Sequence, residues 1–178
     1  MAMTLISTST ASSSASLDIT SSIDNTYKLY IFKFIDIHPA TNSTMLMFNG
    51  SIDGGSNYNV TKTTTVFRAY HNEADSVAVL GYETGNDIAE GTGYQTILEG
   101  IGNENDESGA GTLWLFNPSN TTYVKHFYAT LASYHGSNYE TNQFTAGYFN
   151  TTDNIDAVSF KMSEGNMDAG TIKMYGVG

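Results

Sequence analysis

Residues 28–37 (KLYIFKFIDI) carry the clearest pattern in the chain. Successive side chains of an extended backbone point to opposite faces. Tyr30, Phe32 and Phe34 therefore share one face, and Leu29 and Ile31 share the other. Both faces are largely apolar, which predicts a central strand of a sandwich, ended by His38-Pro39. Shorter apolar or alternating runs recur downstream: 45–49 (MLMFN), 58–70 (YNVTKTTTVFRAY), 77–81, 93–98 (GYQTIL), 112–117 (TLWLFN), 123–134 (YVKHFYATLASY), 144–150, 155–162 and 171–177. Turn-forming clusters of Asn, Gly, Asp and Ser separate them, as at 51–57, 100–111, 150–154 and 163–170. No window of about a dozen residues holds a 3.6-residue period. Nine or ten short strands at this spacing predict an all-β protein, a jelly-roll-like antiparallel β-sandwich.

The first 26 residues differ. Met1 to Ser22 is almost wholly small and hydroxylated, with scattered Leu5, Ile6, Leu17 and Ile19, followed by Ile23. Two readings fit: a frayed end or first edge strand, or an extended arm that adds to a neighbour's sheet, since backbone pairing needs little side-chain bulk. The arm is the expectation taken forward. Residues 1–26 form it, with Leu5, Ile6, Leu17, Ile19 and Ile23 touching neighbouring subunits, and residues 27–178 form the sandwich.

Composition sharpens this picture. Charged residues are 14% of the chain, against about 25% in ordinary domains, and Ser, Thr, Asn and Gly take their place. The net charge is −11, from 7 Lys and Arg against 18 Asp and Glu. Such a field repels a phosphate backbone and anionic lipid, and the basic residues are dispersed, so neither nucleic acid nor membrane is expected as a partner. Cysteine is absent, which removes disulfides and thiolate chemistry. The opening MAMTLISTSTASSS has no basic segment followed by an apolar one, so assembly in a host cytoplasm is expected.

Candidate chemistry is sparse. His38, His71, His126 and His135 stand in no ligand spacing such as HExxH. Asp53, Asn57 and Asn59, set around two glycines, are the metal candidates, because hard cations take oxygen ligands from tight loops. The same composition is ordinary turn chemistry. Residues 103–107 (NENDE) form a second acidic cluster. No GxSxG elbow occurs, and no catalytic residue or cofactor is assigned. Trp114, Phe116, Phe127, Tyr128, Phe144, Tyr148 and Phe149 read as core and sheet-face packing. Tyr134, Asn138, Tyr139 and Asn142 read as turn residues that would also suit a binding surface.

The segment 34–58 (FIDIHPATNSTMLMFNGSIDGGSNY) resembles small virion structural proteins of tailed phages, common among marine phages. Residues 155–176 (IDAVSFKMSEGNMDAGTIKMYG) resemble the closing strands of jelly-roll domains on such particles. These motifs are structural and carry no catalytic signature. The resemblance implies a place on the virion surface. A non-enzymatic capsid decoration (cement) protein is the expected role: a homotrimer bound to the major capsid protein or other virion proteins, stabilising the head. The alternative is a receptor-binding module of a tail fibre or tail tip, using loops 100–111 and 133–142.

Overall fold

A computed structural model describes residues 2–178. Twelve strands follow one another: β1 (Met3–Thr10), β2 (Leu17–Ile19), β3 (Leu29–Pro39), β4 (Thr44–Ser51), β5 (Lys62–Asn72), β6 (Ala78–Tyr82), β7 (Gln95–Ile101), β8 (Gly109–Phe116), β9 (Lys125–His135), β10 (Tyr139–Phe149), β11 (Ala157–Met162) and β12 (Met167–Val177). All pairings are antiparallel. The larger layer runs β1-β12-β3-β8-β9-β10-β5-β6, and the smaller runs β7-β4-β11-β2. A single bridge, Ile101 to His135, joins β7 to β9. The protein is thus an all-β, sandwich-like antiparallel fold.

Alternation builds the core between the layers. In β9, Lys125, Phe127, Ala129, Leu131 and Ser133 are buried, while the residues between them are more exposed. Rings from the two layers meet there. Phe48 of β4 lies 4.8 Å from Phe127 and 5.9 Å from Phe149, and Phe160 of β11 lies 5.2 Å from Phe34 and 5.5 Å from Phe32. The jelly-roll character sits at the chain's two ends. β3 pairs with β12 in one layer and β4 with β11 in the other, so one four-stranded ribbon folds across both layers. The middle strands β8, β9 and β10 instead run as a meander inside the larger layer.

Backbone strain marks where β3 and β12 slip past each other. Asp36 has φ 51° and Gly170 has φ 121°. A Cβ at Gly170 would lie 2.8 Å from the Asp36 carbonyl and 2.8 Å from the Ile37 Cα, so only glycine fits there.

The first 26 residues correct the arm expectation. β1 pairs with the chain's own β12 from Met3 to Thr10, and β2 pairs with β11. Further bonds run from Ala11 N–H to the Gly170 carbonyl and from Ser13 N–H to the Asp168 carbonyl. Ile19 and Ile23 lie in the core, Leu17 and Ile6 pack against it, and Leu5 is half exposed. The plainer of the two readings, a first edge strand, describes β1. A Ser/Thr-rich strand needs only one backbone partner, and β12 of the same chain supplies it. The loop expected over 133–142 also shrinks: β9 and β10 form a long hairpin whose turn is Gly136–Asn138.

Candidate functional site

Three cavities gather at one end of the larger layer, around the turns of the β9–β10 and β5–β6 hairpins. The innermost, about 150 Å³, is lined by Arg68, Tyr70, Glu99, His135, Tyr139 and Thr141. Beside it lie one of about 280 Å³ that includes His71, Tyr134 and Glu140, and one of about 470 Å³ over Ala69, Ala78 and Leu80. The long hairpin register explains the convergence. Thr141 stands across from Tyr70, and Tyr139 across from His135.

The walls are aromatic and the floor is polar. The Tyr139 ring lies 5.5 Å from Tyr70 and 5.7 Å from His135, both edge-on. The Arg68 guanidinium sits 4.9 Å over the Tyr70 ring and donates to Glu83 and Glu99, each at 2.7 Å. Asn86 donates to the other oxygen of Glu99. Thr141 is fully buried, and its hydroxyl has no hydrogen-bond partner. Burial lowers the His135 pKa, with the Glu99 carboxylate opposing and Arg68 helping. Its Nδ1 faces the Ser137 N–H at 3.1 Å, which leaves Nε2 as the donor. Burial raises the pKa of Glu140. Such a pocket can hold a small polar group. Among the described residues no histidine hydrogen-bonds a Ser or Thr hydroxyl.

A second surface lies on the open side of the larger layer. Leu5, Tyr175, Ile31, Trp114, Tyr128 and Ala146 are successive cross-strand partners, forming one apolar row over β1, β12, β3, β8, β9 and β10. Trp114 and Tyr128 stack at 4.7 Å, and Phe67 and Phe144 at 4.8 Å. Of the seven aromatics expected as packing residues, Phe127 and Phe149 are in the core. Tyr128 and Phe116 are exposed on this open face.

Of the metal candidates, Asp53 and Asn57 bond to each other within one turn. Asp53 accepts from the Ser51 hydroxyl at 2.7 Å, the Asn57 N–H at 2.9 Å and the Asn57 side-chain amide at 2.7 Å. Those bonds, Asn57 foremost, lower its pKa to about 2. Asn59 makes none of these contacts. Three of the roughly four acceptor positions of that carboxylate are thus engaged inside the turn, and among the described residues no group of three or more His, Asp or Glu is placed to hold a metal ion. In the second acidic cluster, Glu107 turns inward to accept the Glu104 N–H at 2.7 Å. His38 is held by the Glu107 carbonyl at 2.7 Å.

Sequence reasoning passed over two buried lysines. Lys62 and Lys125 are both fully buried, and both are register partners of Phe149. Each donates to two backbone carbonyls, Lys62 to Val60 and Gly93, Lys125 to Tyr123 and Thr151. The available signal was position: each opens a strand in phase with buried residues.

Compared with known proteins, the chain matches no family model, no curated protein and no solved structure.

Proposed function

We propose that this chain is a non-enzymatic structural protein of a phage virion, seated on the head surface as a capsid decoration protein. The observation that carries the reading is the apolar row across the open face of the larger layer, from Leu5 to Ala146, in which Leu5, Tyr128 and Ala146 are exposed, Tyr175 and Trp114 partly so, and Ile31 is buried. A sheet face of this kind can lie flat on another protein surface, and large side chains such as Leu5 and Tyr128 left exposed along it suit such a contact. The shell gains stability because such a ligand binds only its assembled state. The resemblance of residues 34–58 and 155–176 supports a virion setting. The acidic remainder keeps the particle surface soluble.

The test is copy number together with a face variant. In purified virions the protein should approach the major capsid protein in abundance. Replacing both Trp114 and Tyr128 by Ala should leave a folded protein that no longer joins particles. A few copies per particle, or full incorporation of the double variant, would refute the assignment. The Tyr-walled cavities at the hairpin end favour a second reading, a receptor-binding module of a tail fibre or tail tip. Low copy number combined with binding of the isolated protein to host cells would support it.

A further inference from the structure

The two layers leave four strand edges: β1, β6, β2 and β7. An open edge presents unpaired backbone N–H and C=O groups, and natural proteins blunt such edges with bulges, brevity, charge or cover. Three of the four are blunted. β1 carries a register shift between Leu5 and Ser7. β2 is 3 residues long. β7 is covered from β10, whose Gln143 side chain donates to the Thr96 carbonyl at 3.1 Å. β6 has none of these devices. Its sequence, AVLGY, holds no charge and no proline. Its register with β5 is unbroken from Ala78 to Tyr82, and among the described residues β5 is its only strand partner. Leu80 is 74% exposed, the most exposed large apolar residue among those described, and Val79 and Tyr82 are exposed as well.

The charge around this edge selects its partner. Residues 69–124 contain no Lys or Arg and nine of the chain's 18 Asp and Glu. Glu73 and Asp75 precede β6, Glu83 and Asp87 follow it, and Glu140 lies beside Leu80 at the 470 Å³ cavity. Arg68 neutralises Glu83 alone within this set. A second copy of this chain, paired antiparallel through β6, would bring the same carboxylates toward each other at both ends. We infer that β6 is a docking edge for an extended segment of another protein, apolar in its middle and basic at both ends. That segment adds as a ninth strand to the larger layer. Backbone pairing supplies the bonds, Leu80 and the adjoining trough take alternate side chains, and the flanking carboxylates fix register and suppress acidic competitors.

The experiment uses the full chain and two synthetic peptides. Both have an alternating Val-Thr centre; one carries two lysines at each end and the other two glutamates. Amide shifts of isotope-labelled protein report the site, and fluorescence anisotropy reports the affinity. The lysine peptide should bind with shifts centred on residues 78–82. The glutamate peptide should bind about tenfold or more weakly, and raising the salt from ~50 to ~500 mM should close most of that gap. Because Leu80 is 74% exposed, thermal unfolding of Leu80→Lys should match the wild type while lysine-peptide binding falls about tenfold or more. Shifts centred elsewhere, equal binding of the two peptides, or undiminished binding by Leu80→Lys would overturn the inference. So would a concentration-dependent dimer that protects the β6 amides, because the occupant would then be a second copy.

Discussion

Lys62 lies fully buried at the start of β5, and its ammonium reaches the Val60 carbonyl at 3.0 Å and the Gly93 carbonyl at 2.6 Å. No carboxylate accompanies it among the described ion pairs. Burial lowers its pKa from 10.5 to about 8. In the unfolded chain the amine holds its proton to the ordinary lysine range, so between the two values the unfolded state binds more protons. Stability must therefore rise with pH across that window; below it, the fold carries the full cost of a buried charge. At ~1.4 kcal/mol per pKa unit, the span amounts to about 3 kcal/mol. Urea unfolding of the wild type and Lys62→Met, in half-unit steps from pH 7 to 10.5, isolates the effect. Losing the amine leaves two carbonyls unbonded, a penalty of about 1–3 kcal/mol each that does not vary with pH. Tyrosines such as Tyr58, whose pKa burial pushes up to about 12, contribute equally to both proteins. The wild type should gain about 2–3 kcal/mol on the variant between pH 8 and 10.5. A difference that stays flat would show that the two carbonyl bonds keep the ammonium protonated, and the desolvation argument would be wrong.

Deleting residues 2–22 removes β1 and the buried Ile19, so the truncated chain should be insoluble or lose about 3 kcal/mol or more in urea unfolding. Gly170→Val forces a side chain onto the Asp36 carbonyl at φ 121°; a loss of about 2–4 kcal/mol is expected from the same measurement. The Asp53 carboxyl should titrate near pH 2 by carbon NMR, and millimolar calcium should leave both that titration and the melting temperature unchanged.

The strongest strands were legible because bulk and alternation coincide in them. β3 was expected over 28–37 and forms over Leu29–Pro39, since Tyr30, Phe32 and Phe34 have no other apolar place to go. β1 was harder to assign because Thr and Ser suit a strand and a disordered tail alike. Only the partner decides, and β12 is more than 150 residues away in sequence. The first half of β10 looked like loop because Glu140, Thr141, Asn142 and Gln143 are polar, yet Thr141 and Gln143 are both fully buried. The candidate site was half visible. Tyr134 and Tyr139 were singled out as turn residues suited to binding, and they do line its cavities. Arg68, Thr141 and Glu99 were not singled out, since each owes its place to strand register.

That buried polarity has a mechanical consequence. In the middle of the interior between β5, β10 and β7, hydrogen bonds among buried polar side chains stand beside the aliphatic Val66 and Ile97. Thr64 donates to Gln95 at 2.6 Å, Gln95 to the Asn86 carbonyl at 2.8 Å, and Gln143 to the Thr96 carbonyl at 3.1 Å. Each such bond contributes about 1 kcal/mol net, whereas burying one Phe or Leu side chain contributes about 1.5–3. The phenylalanine cluster around Phe48 draws on β3, β9 and β11 and reaches β10 only through its last residue, Phe149. The wing carrying β5 and β6 should therefore open at lower free energy than the sheet centre. Native-state hydrogen exchange should find the β6 amides unprotected, those of β5 and β10 near Thr141 intermediate, and those of β3 and β9 exchanging only by global unfolding. The edge that docks a partner would then also be the edge least committed to its own core, so binding there should slow exchange throughout the wing. If β5 and β9 exchange at the same rate, the two halves share one cooperative core, and the polar interior carries as much stability as the aromatic one.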